Sequence, residues 1–169
     1  MSQFSSQIEE QIPRLRRYAR ALVGDSSRAD DLVQDTLERA WSKLHLWRPD
    51  SDLRAWMFTI MHNHFVNQLR QNPNAVTHVA LDDETSEIPV RATQDDDLEV
   101  RDIFSAISRL PEEFREVVLL VGLEQMRYED VAQVLDVPLG TVMSRLSRGR
   151  EKLRALMAGT AVPTLRRVK

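Results

Sequence analysis

The chain contains no cysteine, which excludes disulfides and thiolate metal sites at once. No apolar run reaches the roughly 20 residues that a membrane-spanning helix needs. The N-terminal stretch MSQFSSQIEEQIPRLRRYAR lacks the apolar core of a signal peptide. A soluble cytoplasmic protein with no membrane insertion is therefore expected. Glycine is scarce, with five in 169 residues, and none belongs to a loop that could cradle phosphate. No Ser/His/Asp or Cys/His arrangement is suggested, so nothing asks for catalysis or a cofactor. His62 and His64 invite a metal reading. Residues two apart on a helix point about 200° apart, however, and cannot share one ion without unwinding. Carboxylates are also missing locally, since no Asp or Glu occurs from Leu53 to Leu81.

What is present is segregated charge. The net charge is −3, but Leu139 to Lys169 carries eight basic residues against the single acid Glu151. Asn72 to Val100 carries eight acids against Arg91. A mildly acidic protein with one strongly basic end can bind nucleic acid locally.

The pattern predicts an all-α chain of two small helical domains joined by an acidic flexible linker, with no strand and no internal repeat. The first domain covers 8–71. One helix runs from about Ile8 to Val23, with Gly24 as a stop. The next is capped by Ser27, with Asp30 completing a variant capping box. It carries Ala29, Leu32, Val33, Leu37, Ala40, Trp41 and Leu44 at helical spacing. A third spans Leu53 to Arg70, with Leu53, Trp56, Met57, Ile60 and Leu69 as its buried side. Residues 72–97 lose periodicity, hold Pro73, Pro89 and the Asp95-Asp96-Asp97 run, and read as linker. The second domain, 98–158, opens with a helix marked by Ile103, Phe104 and Ile107. Pro111, Glu112 and Glu113 start another, and 159–169 is a basic tail.

Tyr128 to Leu153 reads as a helix-turn-helix. Val131, Val134 and Leu135 mark the first helix, and Asp136-Val137-Pro138 breaks it. The second starts near Leu139, with Leu139, Val142, Leu146, Leu153 and Leu156 as its apolar side. Thr141, Ser144, Arg145, Ser147 and Arg148 occupy its other faces. Small hydroxyls at the leading end followed by arginines suit a helix entering a DNA major groove end-first.

Two faces of the first domain are unusual. Asp31, Gln34, Asp35 and Glu38 fall at i, i+3, i+4 and i+7 and form one acidic ridge. From the pattern alone an ordinary solvated face is the better reading of it. Asn63 and Asn67 share a face of the acid-free helix, with Arg70 close by. Amides can read base edges, and the missing carboxylates remove repulsion from phosphate. A polar surface that happens to lack acids fits equally well.

The motifs RADDLVQDTLERAW, RPDSDLRAWMFTIMHNHFVNQLR, SRLPEEFREVVLLV and YEDVAQVLDVPLGTVMSRLSRGREKL, in this order, resemble the extracytoplasmic-function (ECF, group 4) sigma factors of bacterial RNA polymerase, within the sigma-70 family. The resemblance implies that the first domain is sigma region 2. Its acidic ridge of Asp31, Gln34, Asp35 and Glu38 would bind the clamp helices of the polymerase β′ subunit. Asn63, Asn67 and Arg70 would serve the −10 element, with Asn63 near the pocket for a flipped base. Capture of an unpaired base favours the melted state, so binding energy can drive opening without ATP. The second domain would be region 4, reading the −35 element through Thr141, Ser144, Arg145, Ser147 and Arg148. The linker would follow the path of region 3.2. Implied partners are core RNA polymerase, through the β′ clamp helices and the β flap, promoter DNA, and an anti-sigma factor.

Two residues depart from the family pattern. Met143 stands where many relatives carry Lys or Arg. Gly149 replaces a small helix former and is expected to weaken its helix by about 1 kcal/mol relative to Ala. A LuxR-like regulator acting on duplex DNA as a dimer would explain Tyr128 to Leu153 but neither the acid-free helix nor the acidic linker.

Overall fold

The computed structural model describes residues 2–73 and 94–161, and among them every regular element is helical, with no strand. Helix α1 spans Ser2–Val23 with Pro13 inside it, and starts earlier than Ile8. Packing explains the extension: Phe4 and Ile8 are buried. The Phe4 ring meets Trp41 edge-on at 5.7 Å and Trp47 at 5.1 Å. Proline removes a helical hydrogen bond and crowds the preceding turn. Buried residues on both sides of it (Ile8, then Leu15, Tyr18, Ala19 and Leu22) hold the helix together regardless.

Helix α2 spans Ser26–Ser42, and its cap is Asp25, whose side chain accepts from the Ser27 amide. The expected cap at Ser27 is thus displaced by two residues. An aspartate in extended conformation just after Gly24 leaves the first free amides within its reach. After a 3₁₀ turn at Leu44–Leu46, α3 runs Leu53–Gln71, capped by Asp52 through the Arg54 and Ala55 amides. Its buried set differs from the single stripe expected. Ala55, Met57, Phe58, Ile60, Met61 and Phe65 are buried, while Leu53, Trp56 and Leu69 are only partly so. These residues surround much of the helix because α3 is covered on two sides, by α2 and by α6.

Helix α4 spans Gln94–Ser108 and so begins inside the stretch expected to be linker. The run Asp95-Asp96-Asp97, expected to be linker, thus falls within the backbone of α4. The rest of the predicted linker, residues 74–93, lies outside the described residues. Helix α5, Glu112–Val118, continues into a π-helical turn at Leu119–Leu123. Five consecutive residues of α5, Phe114 to Val118, are buried, as a helix enclosed on all sides requires. Arg115 is among them. Its guanidinium donates to the carbonyls of Ile107, Ser108 and Leu110 at 3.2, 2.8 and 2.7 Å. A fourth bond, to Leu22 O at 3.0 Å, reaches the end of α1.

Helices α6, Tyr128–Leu135, and α7, Leu139–Ala161, form the helix-turn-helix where it was expected. Asp136 takes the left-handed conformation at φ 53°, which aspartate tolerates better than most residues. Two expectations for α7 are corrected. Leu139 is exposed, because it precedes the point where α7 meets the core. Gly149 is buried and occupies the place in the stripe between Leu146 and Leu153. A Cβ there would stand 2.9 Å from Val118 Cγ2 and 3.3 Å from Phe114 Cβ. The glycine lets α5 and α7 cross closely, so its effect is not a plain loss of helix propensity. The predicted tail is helical to Ala161, and 162–169 lie outside the described residues.

The two groups of helices do not stand apart. Helix α3 packs on α6, and α1 packs on α4 and on the π-helical turn. Residues of both groups join one contiguous buried core.

Candidate functional site

The acidic ridge lies on α2. Asp31, Gln34 and Glu38 are exposed, and Asp35 is half-buried. Leu32, Val33, Thr36 and Ala40, on the opposite side, are buried and fix the ridge outward. Asp35 Oδ2 accepts a hydrogen bond from His64 Nε2 at 2.9 Å, and Gln68 Nε2 lies 3.2 Å from the same nitrogen. This link ties the ridge to α3, and the sequence reading had not foreseen it. His62 faces elsewhere: its Nδ1 donates to Glu116 Oε1 at 2.9 Å. The two histidines thus serve different carboxylates on different helices, as their spacing requires.

Asn63, Asn67 and Arg70 are all exposed. Spaced i, i+4 and i+7, they form one row along α3. The face beside it is occupied: Arg54 Nη1 donates to the Glu124 carbonyl at 3.2 Å, and His62 reaches Glu116. Part of what looked like a free, acid-poor surface is therefore an internal contact. Trp47 and Trp56 pack against the core, with ring centroids 6.4 Å apart.

On α7, Ser144, Ser147 and Arg148 are exposed, while Thr141 and Arg145 are half-buried. The Ser144 hydroxyl donates to Thr141 O at 3.1 Å. The buried residues Val142, Leu146 and Gly149 fasten the opposite side to α5 and α6. Arg150 and Lys152 continue the exposed basic surface, with Lys152 Nζ 5.7 Å from the centre of the Phe114 ring.

A fourth region joins the two groups of helices and was missed from sequence. Glu124 follows the π-helical turn, and its side chain is fully shielded from solvent. Its Oε1 accepts from Arg17 Nη2 at 3.1 Å and from Arg17 Nε at 3.4 Å. Its Oε2 has no partner. Burial pushes this carboxyl above its ordinary value, and the nearby Arg17, Arg14 and Arg54 pull it only part of the way back. Tyr18, buried beside Phe58 at 5.1 Å, is likewise raised well above the usual phenol value, first by burial and then by Glu116 and Glu124. The signal that could have revealed this region is the pair Arg115-Glu116 inside the apolar run FREVVLLV: charges there must be paired once the helix is enclosed.

Two family models match the chain, "Sigma2 domain of PhyR" over residues 8–62 and "Sigma-70, region 4" over residues 101–153. The ECF RNA polymerase sigma factor EcfG of Rhodopseudomonas palustris is 38% identical over 146 residues, covering 86% of this chain and 80% of that protein. Among solved structures, the sigma factor RpoE in complex with the anti-sigma factor NepR, from Bartonella quintana, superposes with a TM-score of 0.77 at 31% identity. That match covers 94% of this chain and 98% of the other. CnrH in complex with the cytosolic domain of CnrY gives 0.67 at 28% identity, over 92% and 88%. Helical content, the order of the motifs and these likenesses agree: the chain belongs to the ECF sigma factors of the sigma-70 family, the promoter-recognition subunits of bacterial RNA polymerase.

Proposed function

We propose a residue-level division of labour for this sigma factor. Asp31, Gln34, Asp35 and Glu38 bind the β′ clamp helices of core polymerase. Asn63, Asn67 and Arg70 recognise the −10 element and retain an unpaired base. Thr141, Ser144, Arg145, Ser147 and Arg148 read the −35 element. Region 2 then corresponds to 8–71 and region 4 to 98–158, connected by 72–97, with 159–169 as a basic tail. The observation that carries this reading is the separation of chemistries on three outward faces. One is acidic, one carries amides without carboxylates, and one is hydroxylic and cationic. Each is backed by a buried stripe that keeps it facing outward. The protein acts in the cytoplasm by binding, with no chemical step of its own. An anti-sigma factor holds it inactive, a reading supported by the solved relatives, which carry such partners.

The closed packing adds a step. Elements centred at −10 and −35 lie about 25 base pairs apart, or about 85 Å at roughly 34 Å per helical turn. Helices α3 and α6 touch in this structure. The two groups must part before both elements can be engaged, and the bonds of His62 to Glu116, Arg115 to the Leu22 carbonyl and Arg54 to the Glu124 carbonyl resist that parting.

The test is transcription by core polymerase plus this protein on a library of randomised promoters. Initiation at a shared −10 and −35 pair is the expected result. Failure to bind core, with tight binding to duplex DNA alone, would overturn the assignment.

A further inference from the structure

Five large apolar residues are conspicuously exposed among the described residues, and two of them sit together at the leading end of α7: Leu139, 42% exposed, and Met143, 52% exposed. Spaced by four, they stack along one row, and the next member of that row is Ser147. The neighbouring row is Gly140, Ser144 and Arg148. Met143 is thus flanked by residues assigned above to the −35 element, and it points away from the stripe of Val142, Leu146 and Gly149 that anchors α7. Resting on that assignment, we propose that Leu139 and Met143 form an apolar step that recognises the C5-methyl group of thymine in the −35 element.

The chemistry narrows the choice. A thioether and an isobutyl group offer nothing to phosphate, so these residues do not serve the backbone contacts that arginine makes. In the major groove, the one apolar mark on a base edge is the thymine methyl. Arg145, Arg148 and Arg150 supply the positive charge that brings the duplex to this surface. The long, unbranched Met143 side chain can adjust its torsions to meet a methyl group. Where a lysine or arginine would bind many sequences by charge, Met143 exchanges general affinity for preference at one or two A·T pairs.

The experiment uses holoenzyme formed from core polymerase and either the natural protein, Met143→Ala, Leu139→Ala or Arg148→Ala. Selection from a library randomised at −35 identifies the preferred bases. The natural protein should enrich thymine, on either strand, at a position where Met143→Ala shows no preference. That thymine is then replaced by uracil, which removes only the methyl group. Binding of the natural holoenzyme should fall about fourfold, the factor equivalent to about 0.8 kcal/mol for one buried methyl-sized group. Binding of the Met143→Ala holoenzyme should not change, and Leu139→Ala should lose part of the discrimination. Equal uracil sensitivity in the natural and Met143→Ala proteins would overturn the proposal. So would unchanged promoter selection by Met143→Ala, which would leave this step to a protein partner. If Arg148→Ala leaves both −35 selection and binding to the −35 duplex untouched, it is the assignment of α7 that fails, and the two failures are thereby distinguished.

Discussion

Replacing Glu124 with glutamine should tighten the closed form. Its carboxylate is wholly shielded, with 0% of the side chain exposed. Moving such a group out of water costs several kcal/mol. The return comes first from Arg17, with weaker attraction from Arg14 and Arg54. The 3.1 Å bond from Arg17 is worth about 1.5–3 kcal/mol, and the 3.4 Å bond adds little. The Arg17 side chain is 41% exposed, so solvent screens the charge attraction to about 1 kcal/mol or less. The unpartnered Oε2 costs a further ~1–3 kcal/mol. Glutamine keeps the shape and the acceptor for Arg17 but removes the buried charge. The closed form should gain about 1–2 kcal/mol, a factor of about five to thirty. Apparent affinity for core polymerase should weaken by a similar factor if only the open form binds. The raised pKa of Glu124 predicts the matching pH response. The closed form takes up a proton more readily than the open one, so acidification favours closure. The effect is complete below the ordinary carboxylate value and is lost as pH rises through the raised value. Because the chain has no cysteine, Ser6→Cys and Ala158→Cys provide two unique dye sites for energy transfer. Closure that strengthens as pH falls, and a flatter profile in the Glu124→Gln protein, are the expected results. A more open glutamine variant, or a natural protein that closes as pH rises, would refute the reasoning.

Arg148→Ala should weaken −35 recognition by about 1–3 kcal/mol if it contacts a base, read by holoenzyme binding to matched and scrambled promoters; equal loss on both would assign it to phosphate. Asp35→Arg should reduce polymerase binding in a pull-down while region 4 still binds DNA. His64→Gln, which loosens the Asp35 contact without reversing charge, should have a much smaller effect. Asn63→Ala should impair opening more on duplex promoters than on templates already unpaired at −10, measured by single-round transcription. Gly149→Ala should fail to give the ~1 kcal/mol gain expected from propensity alone, because crowding against Val118 Cγ2 at 2.9 Å costs about 1–3 kcal/mol. Denaturant unfolding should recover stability when Val118→Ala is added.

The helices were legible where one stripe meets one core. Helix α6 and the start of α7 were fixed by Pro138 and by the spacing of Val131, Val134 and Val142, and the residues on the three outward faces followed from helical periodicity. What stayed hidden depended on packing between distant segments. Phe4 extends α1 because it finds Trp41 and Trp47, far along the chain. The second buried side of α3 exists because α6 covers it, and a single-stripe reading left Ala55, Phe58, Met61 and Phe65 unassigned. Gly149 read as a flaw because propensity is a property of one helix, whereas close approach is a property of two. Arg17 and Glu124 stand 107 positions apart, and nothing local in either segment announces the other.

Arg115 has a consequence for how such proteins can be recombined. One guanidinium closes the turn between α4 and α5 and also takes a carbonyl in the last turn of α1, that of Leu22. A chimera that grafts region 4 of one sigma factor onto region 2 of another therefore inherits a cation shaped for a foreign helix end. Even where each half folds soundly, the resting state they make together is set by whether that fit is inherited. Modularity in promoter choice thus coexists with co-inheritance at the seam.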